Sequence, residues 1–406
     1  MTTNRVIDHR KLYRLPWTLP DNAITWLEPT SACNLACDGC YRENVSQSHK
    51  TLEMIQQEID TFHRLRNADG ISIAGGDPLV HPNIVEIVKM ISQKGIKPIV
   101  NTNGLALTKE LLLELKHAGV YGFTFHIDSK QGRPNWKSKN EIELNELRQY
   151  YAEMVAEVGG LSCAFNSTVY EDTLHHTPDL VEWAAKHIDI VHVMVFILYR
   201  AAVPRLPFEW YAGGNKVDMN VLTYTESKDR NIDIKSNAVV NLIRDRFPEF
   251  TPCAYLNGTE KPDSFKWLLT GRIGSKQRIY GYVGPKFMEI IQTMHHLWMG
   301  RYLAYSKPKM TRMGKSMLLL SALDHGMRKV AKQFFTSVLS NPGQLFTNLH
   351  YQSIMIIQPV DFLPNGLQNM CDGCPDMTVW NGDLVWSCRL EELKHFGCWV
   401  RSVPIA

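Results

Sequence analysis

Glu28-Pro29-Thr30-Ser31-Ala32-Cys33-Asn34-Leu35-Ala36-Cys37-Asp38-Gly39-Cys40-Tyr41 sets three cysteines in a C-x3-C-x2-C spacing directly after the strand-like run Ala23–Leu27. Three thiolates on one short loop can hold three irons of a cubane cluster and leave the fourth iron without a protein ligand. An open coordination position suits a cluster that binds and reduces a substrate, not one that only carries electrons. A zinc site completed by His49 or a distant residue is the competing reading. Zinc knuckles pair their cysteines in C-x2-C units, and the present spacing after a first strand points to the cluster.

Outward from this loop, short β-rich runs alternate with amphipathic helical runs up to about residue 200. The strand candidates are Ala23–Leu27, Gly70–Ala74, Lys97–Asn101, Tyr121–Ile127, Leu161–Val169 and Val191–Leu198. Helical spacing appears in Leu52–Leu65, Asn83–Ile91, Lys109–His117, Ile142–Val158 and Pro178–His187. Thr108 suits an N-cap and Gly119 a helix stop. Strands alternating with helices predict a parallel α/β architecture, with functional loops at the carboxyl ends of the strands.

The cysteine loop in this setting resembles the radical S-adenosylmethionine superfamily over about residues 23–200. The resemblance implies a partial (β/α)6 barrel. It also implies a [4Fe–4S] cluster on Cys33, Cys37 and Cys40 that chelates S-adenosylmethionine and cleaves it reductively, starting radical chemistry on a substrate. The family has an aromatic residue just before the third cysteine; here that position is Gly39, and Tyr41 follows as the candidate adenine contact. Gly75-Gly76-Asp77-Pro78 is similar to the family's Gly-Gly-Glu-Pro motif, which implies contacts to the ammonium group of S-adenosylmethionine. Asn101, Asp128 and Asn166 end or line later strands and are implied cofactor contacts, with His126 where relatives carry Ser. Cys163, an odd number of residues from Asn166 in one strand, faces the opposite way and reads as a core thiol.

Nine cysteines are present, seven of them in two tight groups. The region Met1 to Pro20 is polar and basic without an apolar core, so the clusters read as metal or redox groups rather than disulfides. Near the end, Cys371, Cys374, Cys388 and Cys398 follow C-x2-C-x13-C-x9-C. Between them, Thr378–Trp386 predicts a β-hairpin turning at Asn381-Gly382, which returns Cys388 toward Cys371 and Cys374. The group resembles half of a SPASM/twitch-type extension and implies one auxiliary [4Fe–4S] cluster, with a four-cysteine zinc ribbon as the alternative.

The chain has 406 residues and a net charge of only +3, yet Lys266–Lys332 holds thirteen Lys or Arg against Glu289 and Asp324, a net of +11. Interleaved aromatics make this stretch suited to an anionic membrane surface; a solvated basic face is the plain alternative, and nucleic acid fits less well. Its apolar runs are too short to span a bilayer.

The expectations are therefore an N-terminal extension (1–22), a radical core (23–235), a helical basic and aromatic region (236–354) and a Cys-rich region (355–406). The expected protein is a cytoplasmic enzyme, peripheral at the inner membrane face, reduced by a donor such as ferredoxin or flavodoxin. Its expected substrate is a lipid or other hydrophobic molecule. The alternatives are a peptide maturase and a zinc-containing RNA- or partner-binding protein.

Overall fold

Thr51 and Thr108 each accept a backbone amide at the start of a helix, from Met54 and Leu111, and Gly119 ends the second helix in the left-handed region at φ 101°. These caps, with apolar residues three and four apart, set the first elements. The computed structural model describes residues 6–200, 206–225 and 233–405. Six strands appear where the alternation predicts them: β1 (Asp21–Thr30), β2 (Asn67–Gly75), β3 (Lys97–Thr102), β4 (Gly122–His126), β5 (Ser162–Val169) and β6 (Val193–Leu198). Between them run α1 (Leu52–Leu65), α2 (Ile84–Gln93), α3 (Lys109–Ala118), α4 (Asn145–Val158) and α5 (Thr177–Lys186). Each strand pairs in parallel with its predecessor, as in a partial barrel.

The sheet does not stop at β6. The segment expected to be a helical region contributes β7 (Trp267–Gly274) and β8 (His350–Ile357), between which lie α6 (Pro285–Met299) and α7 (His325–Ser340). β8 pairs in parallel with β6 and antiparallel with β7. Ala254–Leu256 and Tyr13–Arg14 extend this edge further. Residues 236–354 are thus part of the core sheet, because β8 satisfies the backbone groups that β6 would otherwise leave as an open edge.

Two cores result. Val100, Phe123, Phe125, Phe165 and Phe196 point toward the helices. Their neighbours Asn101, Thr124, His126, Asn166 and Thr168 therefore face the barrel interior. The second core joins Leu15, Trp17, Ile24, Trp267 and Leu269 to α6 and α7. Residues 300–307 cross the N-terminal end of the barrel: Arg301 donates to Gly95 O (3.0 Å), Ala304 N to Asp69 (3.0 Å), and the Tyr305 hydroxyl meets Thr124 Oγ1 inside the barrel (3.2 Å). The predicted hairpin forms as β9 (Met377–Trp380) and β10 (Asp383–Trp386), with Asn381 and Gly382 both at positive φ. Cys163 and Cys253 are buried core thiols.

Candidate active site

The cysteine loop leaves the carboxyl end of β1 and is tied down at several points. Asn44 accepts the amide of Cys33 (2.9 Å) and donates to its carbonyl (3.0 Å). Asp38 N donates to Lys130 O (2.9 Å), and the Tyr170 hydroxyl donates to Asp38 O (2.7 Å). Gly39 sits at φ +72°, and a Cβ there would lie 2.4 Å from the Tyr199 ring. That close approach explains why glycine replaces the aromatic residue. Burial raises the pKa of all three thiols, Cys33, Cys37 and Cys40, and neighbouring thiols add to the effect at Cys33 and Cys37.

The Gly-Gly-Asp-Pro turn packs beneath this loop. Gly76 N donates to Thr30 O and Asp77 N to Ala32 O, both 2.9 Å. A Cβ on Gly76 would lie 2.1 Å from Ala32 O, and one on Gly75 2.3 Å from Thr30 O. The glycines therefore let the backbone approach the cysteine loop. The Asp77 carboxylate is buried and fully engaged with protein, accepting from Leu79 N (2.9 Å), Asn103 N (2.8 Å) and the Thr102 hydroxyl (2.8 and 2.9 Å). Burial raises its pKa against these hydrogen bonds. Its place is to fasten the end of β2 to the end of β3. Pro78 starts the short turn that Asp77 caps.

Inside the mouth, His126 Nε2 lies 3.0 Å from both Asp128 Oδ2 and Thr168 Oγ1. Although burial opposes ionisation, hydrogen bonding from His126 holds Asp128 below the usual carboxylate range. His126 and Asn166 are register partners on β4 and β5. The Asn101 amide nitrogen is buried without a protein acceptor. Asn103, in the turn Asn101–Gly104 that resembles the family's Thr-Asn-Gly, places Nδ2 3.8 Å from Cys33 Sγ. One residue was not legible as a site member: Arg133 donates to Asn103 O (2.6 Å) and His126 O (2.7 Å). Arg133 carries no local motif, so only the folded loop reveals it. Tyr41 follows Cys40 directly, with the Arg42 guanidinium 5.1 Å from its ring centroid and the charges of Glu28 and Asp376 close enough to act on its hydroxyl.

Cys371 lies close enough to Cys374 and Cys388 to add to the upward shift of both their thiols, with Cys371 hydrogen-bonded to Cys374. The sulfur of Cys398, the expected fourth ligand, lies 3.8 Å from where a Cβ on Gly213 would sit, and its side chain packs on the core of Phe208 and Trp210. Gly397 is left-handed at φ 70°, and Trp399 beyond it lines the cavity beside Cys371 and Cys374. A cavity of about 540 Å³ beside Cys371 and Cys374 is walled by Trp380, Trp386 and Trp399. A buried network joins the two cysteine regions. Arg42 donates to Glu28 (2.6 Å), Glu391 (2.6 Å) and Ser387 O (2.9 Å), and the Ser387 hydroxyl donates to Glu28 (2.6 Å).

Residues 27–183 match the model of the Radical SAM superfamily. Residues 27–183 are a radical SAM domain. Among the chain's relatives is the AdoMet-dependent heme synthase of Oleidesulfovibrio alaskensis, 26% identical over 181 residues, which are 42% of this chain and 46% of that protein. Another is the GTP 3',8-cyclase of Aquifex aeolicus, 33% identical over 127 residues, 29% of this chain and 39% of that one. The chain spans about half or less of the length of such curated relatives. A structure of Streptococcus suis SuiB bound to its precursor peptide SuiA aligns at TM-score 0.37 and 16% identity, covering 45% of this chain and 40% of that one.

The Radical SAM superfamily, whose model these residues match, works with a [4Fe–4S] cluster and S-adenosylmethionine. The residues present fit both. Burial disfavours bare thiolates at Cys33, Cys37 and Cys40, and a cationic cluster offsets that penalty. Among the described residues, the group of three ligand atoms gathered within 4.8 Å is Glu43, Glu391 and His395, so the cysteine sulfurs are spaced more widely than one ion requires. The polar inward face with the orphaned Asn101 amide suits the polar cofactor.

Proposed function

We propose that this chain is a radical SAM enzyme whose reaction takes place over Cys33, Cys37 and Cys40, with Cys371, Cys374 and Cys388 holding one auxiliary [4Fe–4S] cluster in a SPASM/twitch-like region. The observation that carries the reading is the gathering of the three N-terminal thiols at the carboxyl ends of β1–β3, beside a polar barrel interior. When bound, the cluster and S-adenosylmethionine supply a 5′-deoxyadenosyl radical that removes hydrogen from substrate. Asp77 fixes the turn below the cysteines, Arg133 and Asn103 brace their loop, and Asp128 holds the His126 ring. A one-electron donor such as ferredoxin or flavodoxin is required.

The test is iron and sulfide content of anaerobically reconstituted protein, with 5′-deoxyadenosine formation under dithionite. About eight irons and product that vanishes in Cys37→Ala support the proposal; about four irons would remove the auxiliary cluster. Cleavage by Cys37→Ala at the wild-type rate would overturn the assignment of the reacting cluster.

We also infer that the basic segment docks on an anionic membrane. No helix among the described residues is long and apolar enough to cross one. Supporting the inference, Leu297, Trp298 and Phe346 are 74%, 85% and 84% exposed among the basic residues. This face lies across the N-terminal ends of the strands, away from the cysteine loop. It suits an anchor, and it gives no support to a lipid substrate passed directly from the bilayer to the cysteines. Flotation with phosphatidylglycerol vesicles at low salt should retain the wild type and release Trp298→Asp; no flotation of the wild type would refute the inference.

A further inference from the structure

Three side chains gather where the C-terminal region meets the chain beyond Cys40. Glu391 and His395 stand four residues apart on α8 (Leu390–Phe396), a spacing that brings both to one helix face. Glu43 meets them from the loop, three residues after Cys40. One ligand atom of each residue lies within 4.8 Å of the other two, and Glu43 Oε2 is 3.7 Å from His395 Nε2. No thiol belongs to this group, so it is distinct from both cysteine clusters.

Glu391 leaves one acceptor of the group unfilled. Its side chain is 1% exposed, and its Oε1 takes both neighbouring cations, Arg42 at 2.6 Å and Lys394 at 3.0 Å. Its Oε2 is sealed from water and has no hydrogen-bond partner. A bare buried carboxylate oxygen is costly and calls for a partner. Although burial opposes ionisation, Arg42 and Lys394 hold Glu391 below the usual carboxylate range, so the group is an anion. The carboxylates of Glu28, Glu43 and Glu391 outnumber the cations Arg42 and Lys394 by one. A metal ion about 2.0–2.2 Å from an oxygen needs less room there than a water at hydrogen-bond distance, so an oxygen that no water reaches can still take an ion. The side chains of Glu43 and His395 are 46% and 33% exposed, which leaves them free to swing into a coordination shell around it.

We propose that Glu43, Glu391 and His395 bind one divalent transition-metal ion through Glu391 Oε2, a carboxylate oxygen of Glu43 and a ring nitrogen of His395. One imidazole with two carboxylates suits zinc, manganese or ferrous iron, whereas calcium and magnesium favour oxygen ligands throughout. Three protein ligands leave water to complete the shell on the exposed side. The ion clamps α8 to the loop after Cys40, beside the Arg42 network that joins the same two regions. The proposal needs neither iron–sulfur cluster.

The experiment titrates manganese into the anaerobically reconstituted full chain and follows free and bound ion by electron paramagnetic resonance. Manganese is a hard ion that thiolates bind poorly, so the cysteines do not compete for it. The wild type should take up about one ion and gain melting temperature with it, as for any ligand that binds only the folded state. Glu43→Gln and His395→Gln should each weaken binding by at least about tenfold, since even the partners behind metal ligands are worth that much. Both residues lie at the surface, so without metal their variants should melt close to the wild type, which separates lost binding from lost folding. Lys394→Gln removes a cation that holds Oε1 and should leave binding as tight or tighter. No uptake by the wild type at about 1 mM manganese (roughly the range of a weak site), or equal uptake in the wild type, Glu43→Gln and His395→Gln, overturns the proposal. Iron and sulfide content of the same samples reads the clusters, so their absence is distinguishable from an empty third site.

Discussion

Replacing Arg42 with Met should separate the C-terminal cysteine region from the barrel. The guanidinium is buried between Glu28 and Glu391, which are 5% and 1% exposed. Without it, Glu28 keeps the Ser387 hydroxyl and Glu391 keeps Lys394 at 3.0 Å. Removing one partner of a buried pair costs about 3–5 kcal/mol, because the remaining charge stays desolvated. Glu28 loses its cation and Glu391 one of its two, so the middle of that range applies: roughly 4 kcal/mol, or about a thousandfold in the local opening equilibrium. Arg42→Lys should recover less than half, since one ammonium cannot span both carboxylates and Ser387 O. Adding Glu391→Gln to Arg42→Met should restore stability by removing one stranded charge. The assay is amide hydrogen exchange with urea unfolding of the apo protein under reducing, anaerobic conditions. Protection should fall in residues 377–400 and in the loop 33–42, while α3 and α4 stay protected. A change of less than about 1 kcal/mol, the level of a surface pair, or an equal loss in α3 and α4, would refute the reasoning.

Gly76→Ala should abolish iron incorporation at the first cluster while the helices stay folded, because the new methyl would sit 2.1 Å from Ala32 O; iron and sulfide content with far-ultraviolet circular dichroism reads both. Cys398→Ser should leave the iron content unchanged and Cys388→Ser should lower it by about four irons, the content of one cubane. Equal loss in the two variants would return Cys398 to the ligand set. His192 titrates at about 4 in the folded chain against an ordinary 6.5. Below pH 6.5 the unfolded chain takes a proton that the folded chain refuses, so stability falls as pH drops toward 4, by up to roughly 3 kcal/mol. His192→Gln should flatten that acid limb in urea titrations at pH 7, 5.5 and 4.5; an unchanged slope would show that another group sets it.

The strands and helices of the first half were legible because buried parallel strands are short apolar runs bounded by turn residues, and the helices carry their own caps. Thr108, Gly119 and Asn381-Gly382 each act within a few residues of themselves. What stayed hidden depends on distance in sequence. β8 alternates buried and half-buried residues from His350 to Ile357, yet its partner β6 lies far upstream, and the basic, aromatic sequence between them reads as helix. The Arg42 network joins residues 14 and 349 positions apart. Asp77 shows the same limit in the site. Its place at the end of β2 was readable, but the inward turn of its carboxylate onto Thr102 and Asn103 was not. Cys398 has ligand-like spacing, and one left-handed glycine beside it sends the sulfur to another core.

The late return of β8 has a consequence for synthesis on the ribosome. β6 is the run Val-Met-Val-Phe-Ile-Leu, and one of its edges pairs with a strand that ends about 160 residues later. At about 5–20 residues per second, that edge emerges roughly 8–30 s before its partner exists. During this interval the nascent chain presents an apolar strand with unsatisfied amides, a target for chaperones and for neighbouring chains on the same messenger. A gene cut at residue 235 would make the interval permanent, and its product would accumulate as aggregate instead of as a small working barrel.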